Sequence, residues 1–467
     1  MRNAVALPPG VRDTRSRSAD VRTWLTSSLL FPLHERLRGR WSAPYRRELE
    51  RSQWWSREAI ESERVRRLRA MLVHAGEHVP YYRRLFDAAA FDPTAITRVA
   101  DLARLPLLTK PLIRSNLEAL KADDARDLRR STTGGSTGDP LSFFVGRERA
   151  SHDIAARWRA TRWWGVDIGD PEVRLWASPI ELRAQDRLRE ARDFVFRTKL
   201  LPAFELSDRD LDRYLVEIRT RRPRVLFGYP SALARLGRHA RAKEIAMDDL
   251  GIEVVFSSAE MLHEDERAVI EKVFACRVAS SYNTRDAGLI AHECPDGGMH
   301  ISAEDVIVEI VTPSGEPLPT GTTGEVVVTH LATRAFPFVR YRIGDLGALD
   351  ARPCACGRGL PLLSNLKGRS SDCVVAPDGK VMSGHALVHV MRELPGIAQF
   401  RIVQESRSQI RVLIVPTGSL SPGVETQIRN GFMQRLGAEV EVRIECADQL
   451  AVEPSGKFRF VVSRVAS

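Results

Sequence analysis

Apolar residues set three successive rhythms along the chain. From about residue 56 to 90, in SREAIESERVRRLRAMLVHAGEHVPYYRRLFDAAA, they recur at helical spacing with charges between them, which predicts helix interrupted at Pro80. From about 172 to 283 the pattern becomes short apolar runs separated by amphipathic stretches. VRLWAS, RVLFGY, IEVVFSS and RVASSYN read as strands, and PSALARLGRHARA and HEDERAVIEKVF as helices, an alternation that predicts βαβ units and a mostly parallel sheet. After about 300 the chain turns strand-rich: VIVEIV and EVVVTHL flank the turn-forming TPSGEPLPTGTTG and predict a hairpin on an antiparallel sheet or barrel. From about 370, HALVHVMREL, QFRIVQ, IRVLIVP, GVETQIRNGFMQRLG and EVEVRIE mix helix and strand in roughly 100 residues, enough for a separate α+β domain. The expected class is α/β, a large domain with βαβ sheets and a small barrel-like part followed by a small α+β domain.

Composition changes this picture in two places. Six cysteines in 467 residues do not make a disulfide scaffold, no apolar run reaches the ~20 residues that span a bilayer, and the first 25 residues lack a signal-peptide core, so a cytoplasmic protein is expected. The net charge of +10 is concentrated: residues 1–70 hold 16 Arg against 8 acidic residues, together with Trp24, Trp41, Trp54 and Trp55. A basic, Trp-bearing N-terminal arm over 1–50 suits peripheral contact with an anionic membrane. The ordinary alternative is a solvated helical surface with the tryptophans packed beneath, and it is the preferred one. No nucleic-acid motif accompanies the arm, so no nucleic-acid partner is expected.

The candidate chemistry begins at STTGGSTGDP, Ser131 to Pro140. A loop of Gly, Ser and Thr brings backbone N–H groups and hydroxyls close to an anion, because Gly removes the steric barrier and permits positive φ. It lacks the Gly-Lys-Ser/Thr ending of a Walker A loop. Further along, in order, stand SSAEML (257–262), SYNTRDAG (281–288), RYRIGDLG (340–347), GRSSD (368–372) and PSGKFR (454–459). Five motifs in this order resemble the superfamily of adenylate-forming enzymes. HAGEHVPYYRRLF, LARLPLLTKPLIRSNL, GYPSALARL, AHECPDGGMHISAED and CACGRGLPLL narrow the resemblance to its phenylacetate-CoA ligase and CapK-like branch, over nearly the whole chain from about residue 50.

The resemblance implies an acid–thiol ligase: ATP and Mg²⁺ convert a carboxylic acid to an acyl-adenylate, and CoA then takes the acyl group. It implies that Thr133, Gly135, Ser136, Thr137 and Gly138 close over the phosphates, and that Ser258, Ala259 and Glu260 line the adenine. Tyr282 would stack on the base, Thr284 face the α-phosphate and Asp286 hold Mg²⁺. Asp345 would accept the ribose hydroxyls beside Arg369, and Lys457 would neutralise charge in the transition state. It also implies domains over 51–368 and 369–467, the second mobile about a hinge near Ser371 and Asp372. Three positions depart from the pattern: Asp139 replaces a common Lys, Asn283 a usual Gly, and Asp286 a usual Glu. These departures keep alternatives open, namely adenylyl transfer to a non-thiol acceptor, or a degenerate nucleotide-binding protein in a polysaccharide or secondary-metabolite pathway.

Cys294, His300, Cys354 and Cys356 supply three thiolates and an imidazole, enough for a closed tetrahedral Zn²⁺ site, with His292 competing with His300 for the fourth position. Cys276, Cys373 and Cys446 read as ordinary buried residues. Tyr229 and Phe256 hint at an apolar or aromatic acid, with further pocket residues expected around Phe227 to Ser231. The partner is a small-molecule carboxylic acid, and the protein a monomer or homodimer.

Overall fold

The computed structural model describes residues 20–133, 141–176, 186–203, 206–369, 373–379, 381–392, 394–418, 420–450 and 460–465. The described chain divides into two compact units: residues up to 133, 141–343 and 348–364 form the first, and 344–347 with 365–467 the second.

The first unit opens with helices. Ser56 caps the helix Arg57–His78 by accepting from Ala59 N–H, and the helix stops before Pro80, which begins the next one, Pro80–Ala88. A hairpin follows, β1 (Arg129–Thr132) with β2 (Ser142–Val145).

The main sheet contains β3 (Glu172–Leu175), β4 (Thr198–Leu201), β5 (Val225–Gly228), β6 (Val254–Ser258), β7 (Arg277–Thr284), β8 (Gly288–Glu293), β9 (Met299–Ile301), β10 (Val306–Val311), β11 (Gly324–His330), β12 (Tyr341–Asp350) and β13 (Leu362–Arg369). Their spatial order is β10-β11-β12-β13-β9-β8-β7-β6-β5-β3-β4. β4, β3, β5, β6 and β7 run parallel; β8 returns antiparallel to β7, and β10 pairs antiparallel with β11. β5 and β6 are buried at every residue, which is why they read as continuous apolar runs. The helices Pro230–Ala242 and Glu264–Phe274 fall where the sequence places them; the core between helices and sheet includes Leu226, Leu233, Val255 and Ile270. β9 to β13 continue this same sheet rather than closing a separate barrel.

In the second unit, β14 (Cys373–Val375) pairs with β15 (Val381–Ser383). β16 (Ile397–Ser406), β17 (Gln409–Pro416), β18 (Glu441–Cys446) and β19 (Val461–Ser463) form a four-stranded sheet in the order β18-β17-β16-β19. Helices His385–Arg392 and Pro422–Leu436 cover a core including Phe400, Ile402, Val412, Ile428 and Phe432. The buried Gln404 amide is satisfied on both sides, accepting from Val375 N–H at 2.9 Å and donating to Val375 C=O at 2.7 Å.

Two expectations are corrected. Trp24, Trp41 and Trp55 are 55%, 56% and 44% exposed, so these tryptophans do not pack beneath the surface. Cys446 is exposed at the end of β18, an edge strand whose outward positions meet solvent, and Cys276 is only half-buried. The side chain of Cys373 lies outside the described part.

Charged side chains are buried beneath the sheet on the helix Arg147–Arg162. Arg159 donates to Glu304 Oε1 at 2.7 Å, and His152 Nδ1 lies 2.7 Å from Asp305 Oδ1. Burial opposes both charges of the second pair. Even so, the His152 cation holds Asp305 down to about 2, and Asp305 raises His152 above its ordinary value. The folded Asp305 carboxyl is thus more acidic than the ordinary ~3.9, so its stabilisation is present above pH ~4 and is lost as pH falls toward 2. Urea unfolding followed from pH 6 to pH 2 should show that loss, with a shallower acid slope in Asp305→Asn; an unchanged slope would contradict the pairing.

Candidate functional site

The sequence-predicted residues of the first unit gather at the carboxyl ends of adjacent parallel strands, where β7 gives way to the returning β8. Register sets this placement: Gly228 pairs with Ser257, and Ser258 with Ser281, so β5 and β6 end nearly level while β7 runs on through Tyr282, Asn283 and Thr284 beyond them. An added Cβ at Gly228 would lie 2.8 Å from Leu175 O, so glycine is required for close strand approach.

Ser258 is buried and donates to Ser281 C=O at 3.2 Å, fixing β6 to β7. Ala259 follows in the left-handed region, at φ 67°. Glu260 turns back, accepting from Ser231 Oγ at 2.6 Å. On β7, Tyr282 is buried, and the pairing with β8 carries a bulge between Tyr282 and Asn283. Thr284 Oγ1 accepts from Ala287 N–H at 2.9 Å and closes the turn that holds Asp286. Asp286 is buried, and its Oδ2 accepts from the Tyr341 hydroxyl at 2.5 Å.

This turn touches the root of the Gly/Ser/Thr loop. Thr133 N–H donates to Leu141 C=O at 2.9 Å, and Leu141 N–H returns to Thr133 Oγ1 at 2.9 Å, which closes the hairpin at the base of the loop. Arg285 Nη1 donates to Thr132 C=O at 2.8 Å and joins hairpin to turn. Gly135, Ser136, Thr137, Gly138 and Asp139 lie outside the described residues, as do Ser371, Asp372 and Lys457. Asp345 is buried on β12, in the second unit; Arg369 ends β13, and its side chain lies outside the described part.

Sequence reasoning missed the support below the turn. Arg149 is buried beside the rings of Phe143 and Phe338, donates to Arg285 C=O at 3.4 Å and lies 3.5 Å from Asp153. Asp153 also faces His330 at 3.5 Å. Gly288 (φ +76°) must be glycine, since a Cβ there would sit 2.2 Å from Asp153 Oδ1. Nothing in RERASHDIAARWRATR separates these charges from ordinary helix-surface charges.

At the carboxyl ends of β3 and β5 lies an aromatic group. Trp176 stacks on Tyr229 at 4.3 Å and meets Phe227 at 5.1 Å, while the Arg157 guanidinium sits 4.5 Å over Phe227. Burial, and then the charge of Arg174, pulls Arg157 down to about 10.

Cys294, at the end of β8, His300 on β9, and Cys354 and Cys356 before β13 place their donor atoms within 4.8 Å of one another. Cys294 Sγ and Cys354 Sγ are 3.6 Å apart, too far for a disulfide and close to the ~3.8 Å between tetrahedral ligands of one zinc ion. His300 Nε2 is 3.1 Å from Cys356 Sγ, and its Nδ1 is 3.3 Å from Leu360 O, an arrangement that orients a ligating imidazole. The hydrogen bond from Cys294, opposed by burial and helped by His300, holds the Cys356 thiol down to about 2. Gly298 leaves room, since a Cβ would meet Cys354 Sγ at 2.6 Å. The donor set fits a structural zinc ion. His292 stands apart: its Nδ1 faces Glu293 O, and burial holds it down to about 4. His300, not His292, completes the set.

Residues 374–464 match the CapK C-terminal domain family. The phenylacetate-coenzyme A ligase of Thermus thermophilus is 27% identical over 350 residues, covering 71% of this chain and 74% of the relative. Protein CapK of Staphylococcus aureus is 22% identical over 371 residues, 79% and 81% of the two chains. Among solved structures, 2-hydroxyisobutyryl-CoA ligase in the postadenylation state, with R3-HIB-AMP, superposes with TM-score 0.70 at 21% identity, over 88% of this chain and 91% of that one. The chain is thus a relative of phenylacetate-CoA ligases and CapK, with the fold of adenylate-forming ligases.

Tyr341→Phe should leave the buried Asp286 carboxylate without its hydroxyl donor and lower stability by about 1–3 kcal/mol, read by urea denaturation. A loss below about 0.3 kcal/mol would mean that Asp286 does not depend on this bond.

Proposed function

We propose that this protein activates a carboxylic acid with ATP and transfers the acyl group to CoA. The observation that carries this reading is the meeting of Ser258, Tyr282, Thr284 and Asp286 on adjacent ends of β6 and β7, beside the root of the Thr133 loop, in a relative of phenylacetate-CoA ligases.

A carboxylate oxygen attacks the α-phosphorus of ATP; the bond to pyrophosphate breaks, leaving acyl-AMP. The CoA thiol then attacks the acyl carbon and expels AMP. Neither step needs a redox partner. Residues Thr133, Gly135, Ser136, Thr137 and Gly138 cradle the phosphates with N–H groups and hydroxyls. Ser258, Ala259 and Glu260 border the adenine, Tyr282 stacks on it, and Thr284 donates to the α-phosphate. Asp345 accepts from the ribose hydroxyls, which suits a carboxylate because it accepts in two directions. Arg369 lies beside it. Lys457, a compact charge on a flexible stem, reduces repulsion as two anions approach. Mg²⁺ prefers carboxylate and phosphate oxygens and, when bound, would neutralise phosphate charge; Asp286 is the residue that would hold it. The Cys294, His300, Cys354 and Cys356 set would hold zinc as a staple between the β8–β9 turn and the segment before β13, where it would supply structural cross-linking and not Lewis-acid chemistry at the reaction.

The same reading assigns 51–368 and 369–467 as the large and mobile domains, hinged near Ser371 and Asp372, in a cytoplasmic monomer or homodimer. Peripheral membrane contact through the N-terminal region belongs to it too, since residues 1–40 hold eight Arg against three acidic residues. The cluster of Trp176, Phe227 and Tyr229 favours an apolar or aromatic acid.

Acid-dependent ATP–pyrophosphate exchange across aryl, fatty and amino acids should reveal one active class, with Lys457→Ala lowering the rate at least about 100-fold. Exchange with no acid, despite ATP binding, would overturn the reading. Protein purified without chelator should carry about one zinc per chain, and Cys356→Ser should lose it; less than ~0.3 zinc in the wild type would remove the metal from this account.

A further inference from the structure

The segment that opens the described chain is an inverted amphipathic helix. Over Val21–Leu25, the π-helical turn Thr26–Leu30 and Phe31–Leu37, every fully buried side chain is polar, and the half-buried Phe31, packed edge-on against Trp158 and Phe196, is the apolar exception. Thr23, Thr26, Ser27 and Glu35 are all buried; Thr23 Oγ1 donates to Asp170 Oδ1 at 2.9 Å, and Glu35 accepts from Arg40 and Ser42. The side chains facing outward are large and apolar: Trp24 is 55% exposed, Leu29 54%, Leu33 57% and Leu37 81%.

Leu25, Leu29, Leu33 and Leu37 recur every four residues. At 3.6 residues per turn that spacing drifts by about 40° per step, and the wider π-helical turn between Leu25 and Phe31 takes up part of the drift. The leucines therefore stay on one side. A helix on the surface of a soluble protein presents the opposite arrangement, and a contiguous outward apolar stripe marks a contact with a partner or a membrane.

Charge and length identify the occupant. Between Val21 and Trp41 no acidic side chain is exposed, because Glu35 is buried, whereas Arg22, Arg36 and Arg38 are exposed along the stripe. Trp24 and Trp41, both outward, sit near its two ends, where amphipathic rings settle at the level of lipid headgroups. Seventeen helical residues span about 25 Å, and among the described residues no helix is long and apolar enough to cross a membrane. Such a helix lies in the interface plane with its apolar side down.

We propose that the Val21–Leu37 face is an interfacial helix that seats the protein on an anionic lipid surface. The proposal rests on the membrane-facing reading of the N-terminal region, and makes this helix, rather than the arginines preceding it, the anchor. It is independent of the ligase chemistry.

Flotation of the full-length chain with phosphatidylcholine vesicles, with and without phosphatidylglycerol, tests it. The wild type should float with the anionic vesicles and bind less as salt rises. The double substitution Leu29→Glu, Leu33→Glu should lower the bound fraction at least about tenfold with an unchanged thermal unfolding midpoint. Val216→Glu, at a 65% exposed valine on the helix Asp208–Arg221, should bind like the wild type. Wild-type binding that the double substitution does not reduce would overturn the helix as anchor while leaving membrane contact standing. Equal binding to both vesicle types would overturn the anionic requirement. No flotation would overturn membrane contact altogether. A wild-type dimer that the double substitution dissociates would give the face to a second copy of the chain instead.

Discussion

The site depends on the register of three parallel strands. Because Gly228 pairs with Ser257 and Ser258 with Ser281, β5 and β6 end together while β7 carries Tyr282 and Thr284 past that level, and the three residues Arg285 to Ala287 turn the chain back into β8. Ligand sites of open α/β sheets form at such carboxyl ends because no connection on the near side covers them. A one-residue slip at β7 would turn Tyr282 and Thr284 to the opposite face and abolish the constellation.

Buried charge fixes the turn in place. Arg149 reaches the carbonyl of Arg285, while the Arg285 side chain reaches the carbonyl of Thr132, so one chain of contacts runs from a core helix through the turn to the loop hairpin. A buried guanidinium is costly unless charge and aromatic faces surround it, and here Asp153, Phe143 and Phe338 do so. Asp286 sits within the same frame. Its shorter side chain is held by Tyr341, so the replacement of a usual Glu is accompanied by a defined position for the carboxylate.

Much of this was legible in the sequence, for identifiable reasons. βαβ rhythm gave β5, β6, β7 and the helices between them, because strands buried on both faces, as β5 and β6 are, leave uninterrupted apolar runs between amphipathic helices. The Cys294, His300, Cys354 and Cys356 set was legible because few other arrangements use three thiols and an imidazole, although choosing His300 over His292 required the pairing of β8 with β9. Arg149, Asp153, His330 and Tyr341 were not legible, since their meaning arises only from long-range contacts. Trp24 and Trp41 misled for a different reason: the rule that large apolar residues face inward fails where Thr23, Thr26 and Ser27 take the inward positions.

The central claim is that a carboxylate oxygen of the substrate becomes bonded to the α-phosphorus. Acid labelled with ¹⁸O in its carboxyl group, turned over with ATP and CoA, should yield AMP carrying one ¹⁸O by mass spectrometry, with pyrophosphate unlabelled. Label in inorganic phosphate together with ADP would mean attack at the γ-phosphorus, and unlabelled AMP would mean that the acid never met the α-phosphate; either result would contradict the account.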